Sequence, residues 1–132
     1  MIIENLVKKY HLAPNTYCKV LTSLIRDENS EEVQLNFFEK ALEKDNVLRQ
    51  KFNSKVPTGW SGINLCSPTP HTWFDVIEEF LEYVETKCPN FEILQIKIKF
   101  GGLRMYLNNI SLDVHKEVVA LEKLLFDKKL IY

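Results

Sequence analysis

An α+β fold is predicted for this chain of 132 residues, because apolar residues at helical spacing fill its first third and its last quarter, while two period-2 runs meet between them at Gly101-Gly102. Punctuation by Pro57, Gly59, Gly62, Pro68 and Pro70 sets the first helical part off from the rest. The expected architecture is a helical N-terminal third followed by a small antiparallel sheet. That sheet is a hairpin over 93–108, with an extra strand near 60–65, packed on amphipathic helices at about 70–87 and 111–128.

Ile2, Ile3, Leu6, Val7 and Tyr10 share one face of a short helix that ends near His11-Leu12-Ala13-Pro14. Asn15 is a good N-cap for a second helix carrying Tyr17, Val20, Leu21, Leu24 and Ile25. Ser30 caps a third, whose stripe of Val33, Phe37, Phe38, Ala41, Leu42, Val47 and Leu48 reaches toward Phe52 under an acidic outer face. The segment from Trp60 to Leu65 supplies the extra strand, since a two-stranded hairpin alone is marginal in water. Ser67 or Thr69 caps the next helix, with Pro70 in its first turn and Trp73, Phe74, Val76, Ile77, Phe80, Leu81 and Val84 forming a broad buried face. In the hairpin, a Gly101-Gly102 loop sets Phe100 opposite Leu103, Ile98 opposite Met105 and Ile96 opposite Leu107. The other face then carries Gln95, Lys97, Lys99, Arg104, Tyr106 and Asn108, with Lys99 facing Arg104. Ser111 or Asn109 opens the last helix, whose apolar residues run from Leu112 through Leu125.

This length suits one domain spanning 1–132, large enough for a core without disulfides or a structural metal. Seventeen basic against eighteen acidic side chains leave a net charge of -1, so electrostatic function must come from local patches. Cys18, Cys66 and Cys88 are odd in number and lack the spacing of a zinc or redox motif, which reads as reduced thiols in the cytoplasm. No basic leader precedes an apolar run at Met1–Leu6, and no apolar run approaches the ~18 residues of a membrane span. A cytoplasmic location is the expectation, with no cofactor and no metal.

Two surfaces stand out as candidates. Glu78, Glu79, Glu82 and Glu85 line the helix that follows Pro70, and acidic helices of this kind suit a basic partner such as a nuclease. Trp60, between Gly59 and Ser61, is placed to anchor an interface, whereas Trp73 falls in a core stripe. The second surface is the basic hairpin face of Lys97, Lys99, Arg104 and Tyr106, cations beside an aromatic ring as on single-strand nucleic-acid platforms. Read as scaffold, the same lysines discourage edge-to-edge pairing, and Arg104 forks to a carboxylate of the acidic helix before it. Cys66, His71 and Asp75 are near one another in sequence but lack a third orienting group, so no catalytic residue is assigned and the chain is expected not to be an enzyme.

The stretch Gln95-Ile96-Lys97-Ile98-Lys99-Phe100-Gly101-Gly102-Leu103-Arg104-Met105-Tyr106 resembles a recurrent pattern of small bacterial and phage-borne proteins. In that pattern a Lys-Phe-Gly-x-Leu-Arg core with a following aromatic closes a hairpin after an amphipathic helix, often with Gly-Trp upstream. Gly59-Trp60 and the helix from Trp73 to Val84 match it, and the resemblance covers Gly59 to Leu107, with a longer insertion after Gly59-Trp60. In size and surface the chain is similar to immunity proteins encoded beside bacterial toxins, including those of contact-dependent growth inhibition. The resemblance implies a non-enzymatic binding protein that neutralises a cognate toxin, with Glu78, Glu79, Glu82, Glu85 and Trp60 in contact. The alternative is a small nucleic-acid-binding module using Lys97, Lys99, Arg104 and Tyr106.

Overall fold

A computed structural model of the chain describes residues 2–12, 30–65 and 69–126, with the side chains of 30–38 outside that description. The expected helix after Asn15 and the chain beyond Phe126 lie outside the described residues. Among them the order is α1 (Ile2–Tyr10), α2 (Ser30–Lys51), a 3-10 turn (Asn53–Lys55), β1 (Gly62–Asn64), α3 (His71–Lys87), β2 (Glu92–Lys99), β3 (Gly102–Asn108) and α4 (Leu112–Leu124). Helices before and after a three-stranded sheet make this an α+β fold. None of the described helices is long and apolar enough to cross a membrane.

The sheet order is β1-β2-β3, with β2 and β3 antiparallel. The extra strand forms, but β1 runs parallel to β2, so the sheet is mixed rather than antiparallel. A parallel neighbour needs a crossover, and α3 is that crossover. The hairpin keeps its expected faces while its register moves by two residues. Ile98 faces Leu103, Ile96 faces Met105 and Lys97 faces Arg104, so the turn is Phe100-Gly101 rather than Gly101-Gly102. Both turn residues have positive φ, 53° and 76°, the backbone of a type I′ turn. A bulge between Ile93 and Gln95 resets the alternation, which is how Ile93 and Ile96, three residues apart, are both buried.

The core lies between the helices and one sheet face. Trp73, Phe74, Val76, Ile77, Phe80, Leu81 and Val84 are all buried along α3, and they meet Ile63, Phe91, Ile93, Ile96, Leu103 and Met105 of the sheet layer and Leu6, Ala41, Leu48, Val118 and Leu121 of the other helices. Each fully buried side chain of this size contributes about 1.5–3 kcal/mol relative to exposure. Three assignments within the stripes are corrected. Leu42 and Val47 on α2 and Leu112 on α4 are exposed, because the buried line of α2 runs through Ala41, Asp45, Leu48 and Phe52 and α4 buries Val114, Val118 and Leu121. Pro70 is the N-cap of α3, without a side-chain cap, and His71 opens the helix. Ser111 caps α4 as expected, its Oγ accepting from the Val114 N–H at 3.3 Å.

α1 docks on α3 through Leu6 and through Glu79, which accepts from Lys9 and, at 2.7 Å, from the Tyr10 hydroxyl. Lys9, and secondarily Tyr10, hold the Glu79 carboxyl below its usual range, while burial and Glu79 push the Tyr10 phenol up.

Candidate binding face of the sheet

Residues paired across a sheet share a face, so the register decides which side chains the open face presents. One row is Asn64, Lys97 and Arg104, and the next is Gly62, Gln95 and Tyr106. Lys99, at the β2 end of the hairpin, is exposed, and Tyr106 is 46% exposed. The structure thus brings Lys97, Lys99, Arg104 and Tyr106 together on the side of the sheet away from the core. Lys97 replaces Lys99 as the direct neighbour of Arg104.

Arg104 has no carboxylate within ion-pair range among the described residues, and the acidic helix before the hairpin does not supply the expected partner. The nearest acidic wall comes from the helix that follows. Glu122 of α4 lines a cleft with Arg104, Val119, Lys123 and Phe126, and its Oε2 accepts the Met105 backbone N–H at 2.8 Å. Together with the Leu103 N–H bonded to Leu125 O at 3.0 Å, this bond closes the outer edge of β3. Glu122 is therefore engaged in covering the sheet edge.

The acidic helix face is tied to cations of its neighbours. Glu78 pairs with Lys51 of α2 at 3.1 Å, Glu82 pairs with the same lysine, Glu79 pairs with Lys9, and Asp75 pairs with Lys44 at 3.2 Å. Glu82 and Glu78 in turn hold the Lys51 ammonium above its ordinary pKa. Glu85 is exposed near the C-terminal end of α3 and joins no ion pair among the described residues.

Trp60 is open, at 55% exposure, while Trp73 is buried. Trp60 stands between two glycines of positive φ. The Trp60 N–H bonds to Pro57 O at 3.2 Å across a turn in which Gly59 has φ +91°, the left-handed third position of a type II turn. Gly62 has φ +67°, and a Cβ there would lie 2.7 Å from Val56 Cγ2. Trp60 borders a cleft of about 320 Å³ with Arg49, Asn53, Val56, Ser61, Gly62, Ile63 and Asn64. Asn64 is the residue registered beside Lys97, so cleft and open face are continuous.

Arg49, Asn53 and Asn64 were not singled out from the sequence. The only local signal is Asp45-x-x-x-Arg49, a helical i,i+4 pair, here at 2.8 Å. Comparison with protein-family models, curated proteins and solved structures gives no match to this chain.

Proposed function

We propose that this is a non-enzymatic binding protein that neutralises a cognate bacterial toxin in the cytoplasm, in the manner of an immunity protein. The observation that carries the reading is the open sheet face. It sets Arg104, Lys97 and Tyr106, with Trp60 at its border, on a rigid helix-backed platform, and Tyr, Trp and Arg are the residue types that dominate interface energetics. This moves the main contact from Glu78, Glu79 and Glu82, which hold α1 and α2 in place, to the sheet. Glu85 remains available as a rim contact. A basic face fits an acidic patch on the toxin better than a phosphate-handling active site.

The test is calorimetry with the product of the adjacent gene. Arg104→Ala or Tyr106→Ala is expected to weaken binding at least about tenfold, and Glu78→Gln to leave it within about twofold. No binding at moderate salt removes the proposal.

A second reading is favoured by the Lys97–Arg104 pair, two cations side by side with an aromatic neighbour, neither in an ion pair among the described residues. It makes the same face a single-stranded nucleic-acid platform. An electrophoretic shift with RNA or single-stranded DNA at low salt, lost in Lys97→Ala and Arg104→Ala, supports it, and no shift disposes of it.

A further inference from the structure

We infer that the cleft between Trp60 and Arg49 is a nucleotide site, in which a base stacks on the Trp60 indole and its phosphate is forked by Arg49. This goes beyond both functional readings, since it assigns a small-ligand site to residues that neither reading uses as a set.

Arg49 is the first part of the argument. Its bonds to Asp45 Oδ2 at 2.8 Å and to Asn64 Oδ1 at 3.2 Å both leave from Nη2. The side chain is 46% exposed on the wall of the cleft. A guanidinium anchored through Nη2 and still nearly half exposed is held in place to meet a phosphate. Asp45 beneath it is buried, so this anchoring is part of the core and not a surface accident.

The second part is Trp60. Trp60 is 55% exposed, which forfeits burial, and it stands between a left-handed Gly59 and a left-handed Gly62 whose Cβ would lie 2.7 Å from Val56 Cγ2. An aromatic face held out in this way is a stacking platform, worth about 1–3 kcal/mol per base where such platforms are used. Asn53 and Ser61, both exposed on the same cleft, supply donors and acceptors for a base edge or a sugar hydroxyl. A volume near 320 Å³ is at the small end of ligand sites and suits one nucleotide. Beyond Asn64 lie Lys97 and Arg104, the direction in which the backbone of a longer strand would run.

The source of the nucleotide, free or within a strand, is separated by the titration. Trp73 is buried, so quenching of tryptophan fluorescence in the full chain reads Trp60. AMP is expected to quench saturably, while ribose 5-phosphate, adenosine and an acetylated hexaglutamate bind at least about tenfold more weakly, as each lacks the base, the phosphate or both. Arg49→Gln should weaken AMP at least about tenfold. Because that change also unpairs Asp45, Asn53→Asp provides the second variant, placing a repelling charge at the exposed rim with no buried partner disturbed. An oligo(dT) hexamer that binds more tightly than UMP, and loses this advantage in Lys97→Ala with UMP binding unchanged, assigns the site to a strand, and equal affinity assigns it to free nucleotide. Absence of saturable quenching by any nucleotide overturns the inference. So does equal binding of hexaglutamate, which would make the cleft a carboxylate site for a protein partner. Toxin binding is read by calorimetry on Tyr106 and Arg104, so failure of one proposal is distinguishable from failure of the other.

Discussion

Asp45 occupies the buried line of α2, four residues after Ala41 and three before Leu48, where the helical period asks for an apolar side chain, and it is 1% exposed. Its carboxylate accepts the Leu65 N–H at 3.2 Å, just past the end of β1, and pairs with Arg49, so one side chain ties α2 to the edge strand and orients the cleft arginine. Nothing local marks it as buried, because its neighbours Glu43 and Lys44 are charged and Leu65 lies 20 residues away. Burial pushes the Asp45 carboxyl up, outweighing the opposing pulls of the Leu65 N–H and Arg49. For an acid whose folded pKa lies above its unfolded value of about 3.9, the stabilising contribution is complete below that value and is lost as pH rises through the folded pKa. Asparagine at 45 keeps an acceptor for Leu65 and does not titrate. Asp45→Asn is therefore expected to be less stable than the natural chain by most near pH 4, with the deficit shrinking toward neutral pH in urea unfolding. A deficit that grows with pH would mean that the Arg49 pair outweighs burial. Asp45→Ala leaves a buried N–H unpaired and should cost about 3 kcal/mol near pH 4, with the same decline of the deficit toward neutral pH.

The hairpin is the element in which sequence reading succeeded in phase and missed in register. Alternation in 95–99 and 103–107 sufficed to separate the Ile96, Leu103 and Met105 face from the Lys97, Arg104 and Tyr106 face, since a shift of two residues preserves both. The turn itself was decided by a distant residue. Gly102 is needed as a strand position, where a Cβ would meet Phe126 Cδ2 at 2.9 Å and where Phe126 forms its bridge, so the turn falls one residue earlier and takes Phe100 with it. Parallel pairing of β1, the Glu122 cover of β3 and the Arg49 cleft are likewise contacts across 15 or more residues, which no local pattern encodes. The displaced turn has an energetic consequence. Phe100 is held at φ +53° while 65% exposed, in a position that favours Asn, Asp or Gly. Left-handed backbone costs a bulky residue about 1 kcal/mol, and little burial offsets it. Phe100→Asn is expected to raise the urea midpoint with unchanged slope, by about 1 kcal/mol in stability. A loss of stability would show that the ring packs in solution.

Across the whole molecule a near-zero net charge hides a division of labour. Carboxylates of α3 bind Lys9, Lys44 and Lys51 and so join three helices, whereas Lys97 and Arg104 face each other on the open sheet face and join no ion pair among the described residues. Like charges directly opposite in a sheet cost a few tenths to about 1 kcal/mol, and the open face keeps that cost. Stability and binding are therefore expected to respond oppositely to one change. Lys97→Glu converts the repulsive pair into an attractive one with Arg104 and introduces a negative charge at the centre of the face. Urea unfolding should show an unchanged or higher midpoint, while affinity for an anionic partner, the toxin or the single strand, falls at least about tenfold and its salt dependence flattens. Reversal of both residues, Lys97→Glu with Arg104→Glu, restores the like-charge cost without restoring binding. If Lys97→Glu instead retains binding, the open face is scaffold, and the contact surface must be sought at Trp60 and Glu85.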